Sequence, residues 1–405
     1  MKKKNFTCKT PFILTSIFVI LLQSPLLASS FSTSTATVAF EIAPPSIEHK
    51  TNASLKTQYA TQIQIGSLFS LHGKFSVRTD NMIDAGFFTE TPAFFSIDEF
   101  SAAYCFNTPT LSGQISSFVG SFELPGTDSF GSKYLGIQNI ISPLLYPFNS
   151  IDSVEIYPID GIGIAVGTRF ISPSVAAFYL YLNGKDTYTP TTNDFKKFIN
   201  VDTRVARVSD NFFIDFAAGS RFPIKAEVID TEIHLITQID FHTMLTMVIG
   251  GNPYTNMFFQ AGISAIPLKP QTGNQYISFE DMFLFIEPRF STKKLRFSFS
   301  FFCIPKNKTQ ALNHIDKPVG TALTFSSMPI LICNTPGETG CIISASIPNP
   351  AVEAYMLDKL DLQIAPYITF LAGAGTFSAK VHIHPLRYND IGSMFLCNAG
   401  YKIRL

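Results

Sequence analysis

The chain of 405 residues contains no tryptophan and few charged residues. Asp, Glu, Lys and Arg make up 15% of it, whereas soluble domains average about 25%. Aromatic rings are abundant in contrast, with 40 Phe and 14 Tyr. A soluble fold would have to bury these rings in a core, whereas a membrane barrel can turn them toward lipid and toward the membrane interfaces. The composition therefore favours a membrane β-barrel that uses Phe and Tyr without Trp.

Long apolar runs are also scarce, and the clearest one lies at the start of the chain. Four lysines between positions 2 and 9 precede an uncharged apolar run at residues 11–22, and small residues follow at positions 28–30. This order is typical of a secretory signal peptide. The alternative is a retained transmembrane helix, but the run is short for a span of about 20 residues. We predict that residues 1–30 are a signal peptide cleaved after Ala28 or Ser30.

An excess of basic charge is absent from the predicted mature chain. Removal of residues 1–30 takes away four Lys and no acidic residue, so 26 basic groups remain against 30 acidic ones. Binding to nucleic acid needs a basic surface that neutralises phosphates. We therefore expect no nucleic-acid partner.

Motifs of enzymes and of cofactor sites are lacking as well. The glycines at positions 161, 163 and 167 are followed by strand-like residues, whereas a dinucleotide loop needs a helix there. His382 and His384 share one strand face, but a third metal ligand is not visible. The chain has neither a GxSxG nor an HExxH motif. We expect no cofactor, no metal and no enzymatic activity.

What the chain does contain is a hydrophobic period of two. Successive side chains of a strand point to opposite faces, so alternating apolar and polar residues predict strands with one apolar and one polar face. Most of these runs are about ten residues long, which is the length of a tilted membrane strand. The best examples are residues 62–78, 99–107, 295–303, 360–370 and 377–384.

These patterns predict an all-β protein, a transmembrane antiparallel β-barrel of about sixteen strands, within a range of sixteen to eighteen. We place an extended leader at residues 31–57, with one short strand at residues 38–42, and the barrel at residues 58–405. Residues 241–268 carry no Asp, Glu, Lys or Arg, but Gly250 to Pro253 divide them, so a hairpin is predicted there instead of a helix. A soluble β-sandwich or β-helix is the alternative fold.

Turn-rich segments and basic residues suggest where a lumen would be lined. Residues 126–147, 184–198 and 306–317 are candidate extracellular loops or constrictions. Lys74, Arg78, Arg296 and Lys380 fall on the polar parity of their strands and are candidate lumen charges. Such charges select among permeating ions. The alternative is that they are merely solvated, or reach toward lipid headgroups.

Five cysteines remain after residue 30, at positions 105, 303, 333, 341 and 397. An odd number in an exported chain leaves at least one thiol free or bonded to another chain. Cys333 and Cys341 flank a turn-rich loop and are a candidate disulfide. Five unpaired cysteines are the alternative.

The end of the chain is an unbroken alternation. Phe395, Tyr401, Ile403 and Leu405 share the apolar parity with Cys397 and Ala399. This resembles the terminal signal by which outer-membrane barrels are recognised by the barrel assembly machinery. Such barrels usually end in Phe or Trp, and this chain ends in Leu.

Two further segments resemble a family. Residues 118–126 (FVGSFELPG) are similar to a strand-to-loop segment of sixteen-stranded general and phosphate-selective porins, and the pair 161–170 and 174–184 resembles a porin hairpin. The composition resembles that of chlamydial outer-membrane proteins. The resemblance implies a Gram-negative outer-membrane channel, a homotrimer, through which small solutes or ions diffuse passively.

Two other functions remain open from the sequence. The first is a structural or adhesive surface barrel, cross-linked to neighbours through cysteines. The second is an outer-membrane barrel enzyme whose catalytic residues are scattered along the chain.

Overall fold

A computed structural model describes the chain from Ser30 onward with gaps. The described residues are 30–43, 52–79, 82, 93–109, 111–137, 141–145, 155–170, 173–183, 198–223, 227–229, 232–234, 239–252, 255–268, 281–292, 294–305, 308, 315, 317–327, 329–332, 335–348, 359–389 and 391–404. The predicted signal peptide lies almost wholly outside them and stays a prediction. No helix among the described residues is long and apolar enough to cross a membrane.

The fold is a closed antiparallel barrel of eighteen strands. The strands are long because each must cross the membrane at a tilt. They are β1 (Ser30–Ala43), β2 (Asn52–Ile65), β3 (Phe69–Thr79), β4 (Ala93–Asn107), β5 (Leu111–Ser121), β6 (Asp160–Phe170), β7 (Ser174–Asn183), β8 (Phe198–Ser209), β9 (Phe212–Pro223), β12 (Ile239–Asn252), β13 (Thr255–Leu268), β14 (Met282–Ser291), β15 (Leu295–Cys303), β16 (Val319–Ser327), β18 (Thr335–Ile347), β19 (Asp361–Ala372), β20 (Gly375–Ile383) and β21 (Phe395–Arg404).

The described structure also contains three short strands, two short α-helices and a 3-10 helix at Pro385–Arg387. A two-stranded ribbon lies between β9 and β12, and a three-residue strand extends one hairpin. These elements are β10 (Glu227–Ile229), β11 (Glu232–His234), β17 (Ile330–Ile332), helix α1 (Ser129–Leu135) and helix α2 (Ile391–Met394).

The last strand closes the barrel onto the first. Strand β21 pairs with β1, with Thr35 opposite Arg404 and Ile42 opposite Cys397, and with β20 on its other side. Every barrel strand therefore has two hydrogen-bonded neighbours. A closed sheet leaves no edge whose backbone groups would meet lipid unpaired.

The two ends of the barrel differ in the length of their connections. At one end, which we call the short-turn end, neighbouring strands are joined by a few residues, such as 66–68 between β2 and β3 and 373–374 between β19 and β20. At the other, the long-loop end, connections include the 38 residues between β5 and β6. Strand β1 begins and β21 ends at the short-turn end. In outer-membrane barrels short turns face the periplasm and long loops the outside.

The predicted barrel is confirmed, and its eighteen strands are at the upper limit of the predicted range. The predicted hairpin at residues 241–268 is present as β12 and β13. The predicted boundary at residue 58 does not match the wall, because β1 and the first half of β2 lie within the supposed leader. The short strand predicted at residues 38–42 is the second part of β1, and its first part was missed because small residues such as Thr35 and Ala36 give the two faces little contrast in hydrophobicity.

Candidate functional site

The barrel wall separates two chemically different faces. Large apolar side chains that stay exposed point outward, where lipid would cover them. Examples are Phe100, Tyr104, Phe178, Phe216, Phe297, Phe299 and Phe301. The alternate positions point into the lumen and carry small polar side chains, such as Ser76, Ser116, Thr246, Ser298, Ser344 and Ser346. This is the two-faced pattern of a barrel with a polar interior in lipid.

The connection between β5 and β6 folds into the lumen. Its described parts are residues 122–137, 141–145 and 155–159, which we call the inward segment. The chain leaves the wall through three residues with positive φ, at Gly120 (89°), Glu123 (42°) and Gly126 (94°). Glycine adopts such angles without strain, but a glutamate there is held by its surroundings. Helix α1 follows and ends at Gly136 in a left-handed conformation.

The first attachment of the inward segment is centred on Glu123. Its carboxylate forms an ion pair with Lys133 and accepts hydrogen bonds from the hydroxyl oxygens of Tyr134 (2.9 Å) and Tyr179 (2.5 Å). Burial, together with the charge of Glu123, raises the pKa of Tyr134, so this hydroxyl remains a donor. These contacts join the segment to β7.

A buried arginine on β8 completes this attachment. Arg204 donates from Nη1 to the backbone oxygen of Glu123 (2.6 Å), and its Nε and Nη2 atoms donate to Asp215 on β9 (2.9 and 2.6 Å). Its guanidinium lies 4.3 Å above the ring centre of Phe130. The bidentate pair satisfies a charge that burial alone would make costly.

A second attachment lies across the lumen, on β14 and β15. The buried carboxylate of Glu287 accepts hydrogen bonds from Ser142 of the inward segment (2.6 Å) and from Ser300 (2.5 Å), and it pairs with Arg289 (2.7 Å). On β13, Gln260 donates to the backbone oxygen of Gly126 (3.0 Å). The inward segment is thus held at two places on the wall, on β7–β8 and on β13–β15, which lie about five strands apart.

A third contact places a tyrosine of the inward segment on a buried pair of the wall. The ring of Tyr157 lies 4.3 Å from that of His242, whose Nε2 is 2.7 Å from Oδ1 of Asp202. Gly219 on β9 makes room for this pair, since a Cβ atom there would lie 2.2 Å from the Asp202 carboxylate. Polar groups of the wall therefore contact the inward segment as well as one another.

Apolar packing fills the space around these attachments. Phe122, Phe130, Leu144, Leu145 and Ile156 of the inward segment are almost fully buried, in one cluster with lumen-facing side chains of the wall. The inward segment therefore occupies the lumen beside β5–β9 and β12–β15 and narrows it from that side.

The four predicted lumen charges lie on different parts of the wall. Lys74 and Arg296 are partly exposed on the lumen parity of β3 and β15, and Arg78 is exposed near the long-loop end of β3. Lys380 is only 4% exposed, and its ammonium lies 5.6 Å from the ring centre of Tyr367. These four residues do not form one cluster, and their role stays a prediction.

The two histidines noted in the sequence have hydrogen-bonding partners. His384 Nδ1 contacts Asp361 (3.1 Å), which also accepts from Arg387, and His382 Nδ1 contacts Gln363 (3.1 Å). Within the described part of the chain, no group of three His, Cys, Asp or Glu side chains is placed to hold a metal ion.

The cysteines and the terminal strand are described in part. Cys333 lies outside the described residues, so its pairing with Cys341 stays a prediction; the other four cysteines after residue 30 form no disulfide with one another.

Phe395 points outward, and Tyr401 donates to the backbone oxygen of Ala372 (2.8 Å). Ile403 is the pairing partner of Ala36, and Leu405 lies outside the described residues.

The attachment residues were missed from the sequence alone. Arg204 shares its face of β8 with Asp202, and Asp215 interrupts an apolar run of β9, so charged residues on the lumen parity were an available signal. The signal does not identify the partner, because Glu123 lies in a turn-rich segment 81 residues before Arg204.

Comparison with known proteins gives structural similarity without sequence similarity. No family model and no curated protein matches the chain. Among solved structures, OmpF of Salmonella typhi in complex with daunomycin covers 93% of this chain and 97% of its own, with 9% identity and a TM-score of 0.44. A mutant of the Rhodopseudomonas blastica porin covers 93% and 100%, with 5% identity and a TM-score of 0.40. At this level of similarity, the closed wall and lumen of the chain itself carry the functional interpretation.

Proposed function

We propose that this protein is an outer-membrane porin, through whose lumen small hydrophilic solutes or ions diffuse passively. The observation that carries the proposal is the two-faced closed wall, which turns large apolar side chains outward and small polar ones inward. An outward band of Phe and Tyr suits lipid, while a lumen lined with hydroxyls suits water.

The inward segment sets the size limit in this proposal. Attachments at Glu123 and at Glu287 hold it on two separate parts of the wall, so it narrows the path with packed side chains. Solutes would pass beside it, along the wall from β21 to β4, where Gln62, Gln64 and Lys402 are exposed on the lumen parity. The chemistry required of the protein is exclusion by size and by charge.

The proposed partners follow from the same closed barrel with its apolar outer face. The outward face would contact outer-membrane lipid, and the terminal strand β21 would be recognised by the barrel assembly machinery before it pairs with β1. A homotrimer is the proposed assembly. Cross-linking of the refolded protein, followed by sizing, tests the oligomeric state, and a single monomeric species would contradict a trimer.

Planar-bilayer recording of refolded protein tests the channel itself. We expect stepwise, ohmic currents, and a silent barrel would contradict the proposal. Lys74→Glu and Arg296→Glu should each shift the ratio of anion to cation permeability toward cations if the side chains line the conducting path. An unchanged ratio would show that they do not.

The cysteine-linked surface barrel has one observation in its favour, the exposed position of Cys397 on the outward face of β21. Non-reducing gels of envelopes distinguish it. Disulfide-linked multimers together with a silent barrel would support that function instead.

A further inference from the structure

We propose that the lumen wall formed by β21, β1, β2 and β3 at the short-turn end is a selectivity site for small anions that carry carboxylate or phosphate oxygens. The site is centred on Lys74, Lys402 and Arg404, which we call the basic wall. This inference rests on the proposed channel function and names the class of solute that it favours.

Strand register brings the three cations to neighbouring levels of one lumen face. Lys74 on β3 is opposite Ala60 on β2, Ala60 is opposite Thr35 on β1, and Thr35 is opposite Arg404 on β21. Lys402 lies two residues before Arg404 on β21, farther from the short-turn end, and is opposite Thr37 on β1. The side chains between the cations are short, so the wall is recessed between Lys74 and Arg404.

The basic wall is open to water, unlike the charged groups that attach the inward segment. Lys402 and Arg404 are exposed, as are Gln62 and Gln64 on β2, whereas Arg204 and Glu287 are fully buried and paired. Lys402 lies close enough to both Arg404 and Lys74 for mutual repulsion. Positive charges brought together in this way are stabilised by a mobile anion.

Two carboxylates face this site, and they offset part of its charge. Glu99 on β4 is opposite Lys74 and is 3.0 Å from Nδ1 of His72. Asp98, the preceding residue, accepts a hydrogen bond from Ser76 (2.8 Å), which lies two residues from Lys74 on the same lumen face. Three cations against two carboxylates leave one positive charge in excess when His72 is neutral. An ammonium and a guanidinium together donate hydrogen bonds that suit carboxylate and phosphate oxygens.

The expected selectivity is modest because the site is wet. For one net charge about 10 Å from the path, in water at about 0.1 M salt, Coulomb energy and screening give an anion-to-cation permeability ratio of about 1.7. The ratio should fall toward about 1 at high salt, since the Debye length shortens to about 3 Å at 1 M.

Reversal potentials across a KCl gradient test the proposal. We expect wild-type protein to prefer chloride about 1.7-fold, the variant Lys74→Gln to lose that preference, and the double variant Lys402→Gln/Arg404→Gln to lose or invert it. Lys74→Gln leaves the terminal strand intact, so it remains informative if the double variant assembles poorly. Arg207→Gln is the matched control, because Arg207 is exposed near the same end of β8 but on the outward parity, with Val205.

The outcomes separate this inference from the channel proposal. A wild-type preference for potassium, or variants that keep the wild-type ratio, would overturn the anion site while leaving the channel standing. For a silent barrel, phosphorus NMR of inorganic phosphate with detergent-refolded protein provides the readout. Line broadening that is lost in Lys74→Gln supports the site without a channel, and no broadening overturns it.

Discussion

Glu123 holds the inward segment against β7, and replacing it with Gln removes the charge while keeping the size. The carboxylate serves Lys133, Tyr134 and Tyr179 at once. Glutamine offers one carbonyl oxygen as acceptor, and its NH₂ group cannot accept from a hydroxyl. At least one of the tyrosine hydroxyls therefore loses its acceptor in Glu123→Gln.

The magnitude follows from the number and burial of these contacts. A hydrogen bond to a charged group contributes about 1.5 to 3 kcal/mol, and the Gln oxygen replaces part of one. The ion pair adds little, about 0 to 1 kcal/mol, because the side chain of Lys133 is 35% exposed. We expect docking of the inward segment to weaken by about 2 to 4 kcal/mol, which is roughly a 30-fold to 700-fold change in the docking equilibrium.

Limited digestion with trypsin measures this change. Lys133 lies in helix α1, where docking protects it, so cleavage after Lys133 should be much faster in Glu123→Gln than in wild-type protein. The wall should melt at the same temperature, because no hydrogen bond between barrel strands is removed. Bilayer currents of the variant should fluctuate more, since an undocked segment moves within the lumen.

The matched control is Glu338→Gln. Glu338 accepts a hydrogen bond from Tyr367 (3.1 Å) on the lumen face of β18 and β19. Its variant should be digested at the wild-type rate. Equal cleavage rates after Lys133 in Glu123→Gln and wild-type protein would refute the assignment of Glu123 as the main attachment.

Two further variants test the other contacts of the inward segment. Gly219→Ala places a Cβ atom 2.2 Å from the Asp202 carboxylate and 2.5 Å from Nε2 of His242. We therefore expect the free energy of unfolding to fall by about 1 to 3 kcal/mol, which circular dichroism would detect as a lower melting temperature of the barrel. An unchanged melting temperature would contradict the tight packing of this pair. Glu287→Gln weakens the acceptor of Ser142, so residues 141–145 should become more accessible to chymotrypsin, and protection equal to wild type would show that this attachment contributes nothing.

The periodicity of the sequence was sufficient for the wall wherever the two faces differ strongly. Residues 62–78, 295–303 and 395–404 alternate apolar and polar side chains, and the structure forms β2–β3, β15 and β21 there. Alternation is a local property, since each residue's face depends on its parity alone. Only residues 38–42 of β1 were predicted as a strand, because the Ser, Thr and Ala side chains before them differ little between the two faces.

The candidate site depends on contacts between residues that are distant in the sequence, and the alternation of apolar and polar residues does not reveal such contacts. The turn-rich character of residues 126–147 predicts a loop or a constriction, but whether the loop extends outward or folds inward depends on acceptors and donors elsewhere on the barrel. Ser142 contacts Glu287, 145 residues away, and Glu123 contacts Arg204, 81 residues away. Neither pairing leaves a local pattern.

The sequence by itself therefore determined the class of fold, the position of most strands and the polarity of the two faces, because these follow from local alternation and from composition. The tertiary structure decided the number of strands, the inward path of the described residues between β5 and β6 and the convergence of Lys74, Lys402 and Arg404. Those features arise from closure of the sheet, which sets the register between β21 and β1 and brings residues distant in sequence onto one lumen face.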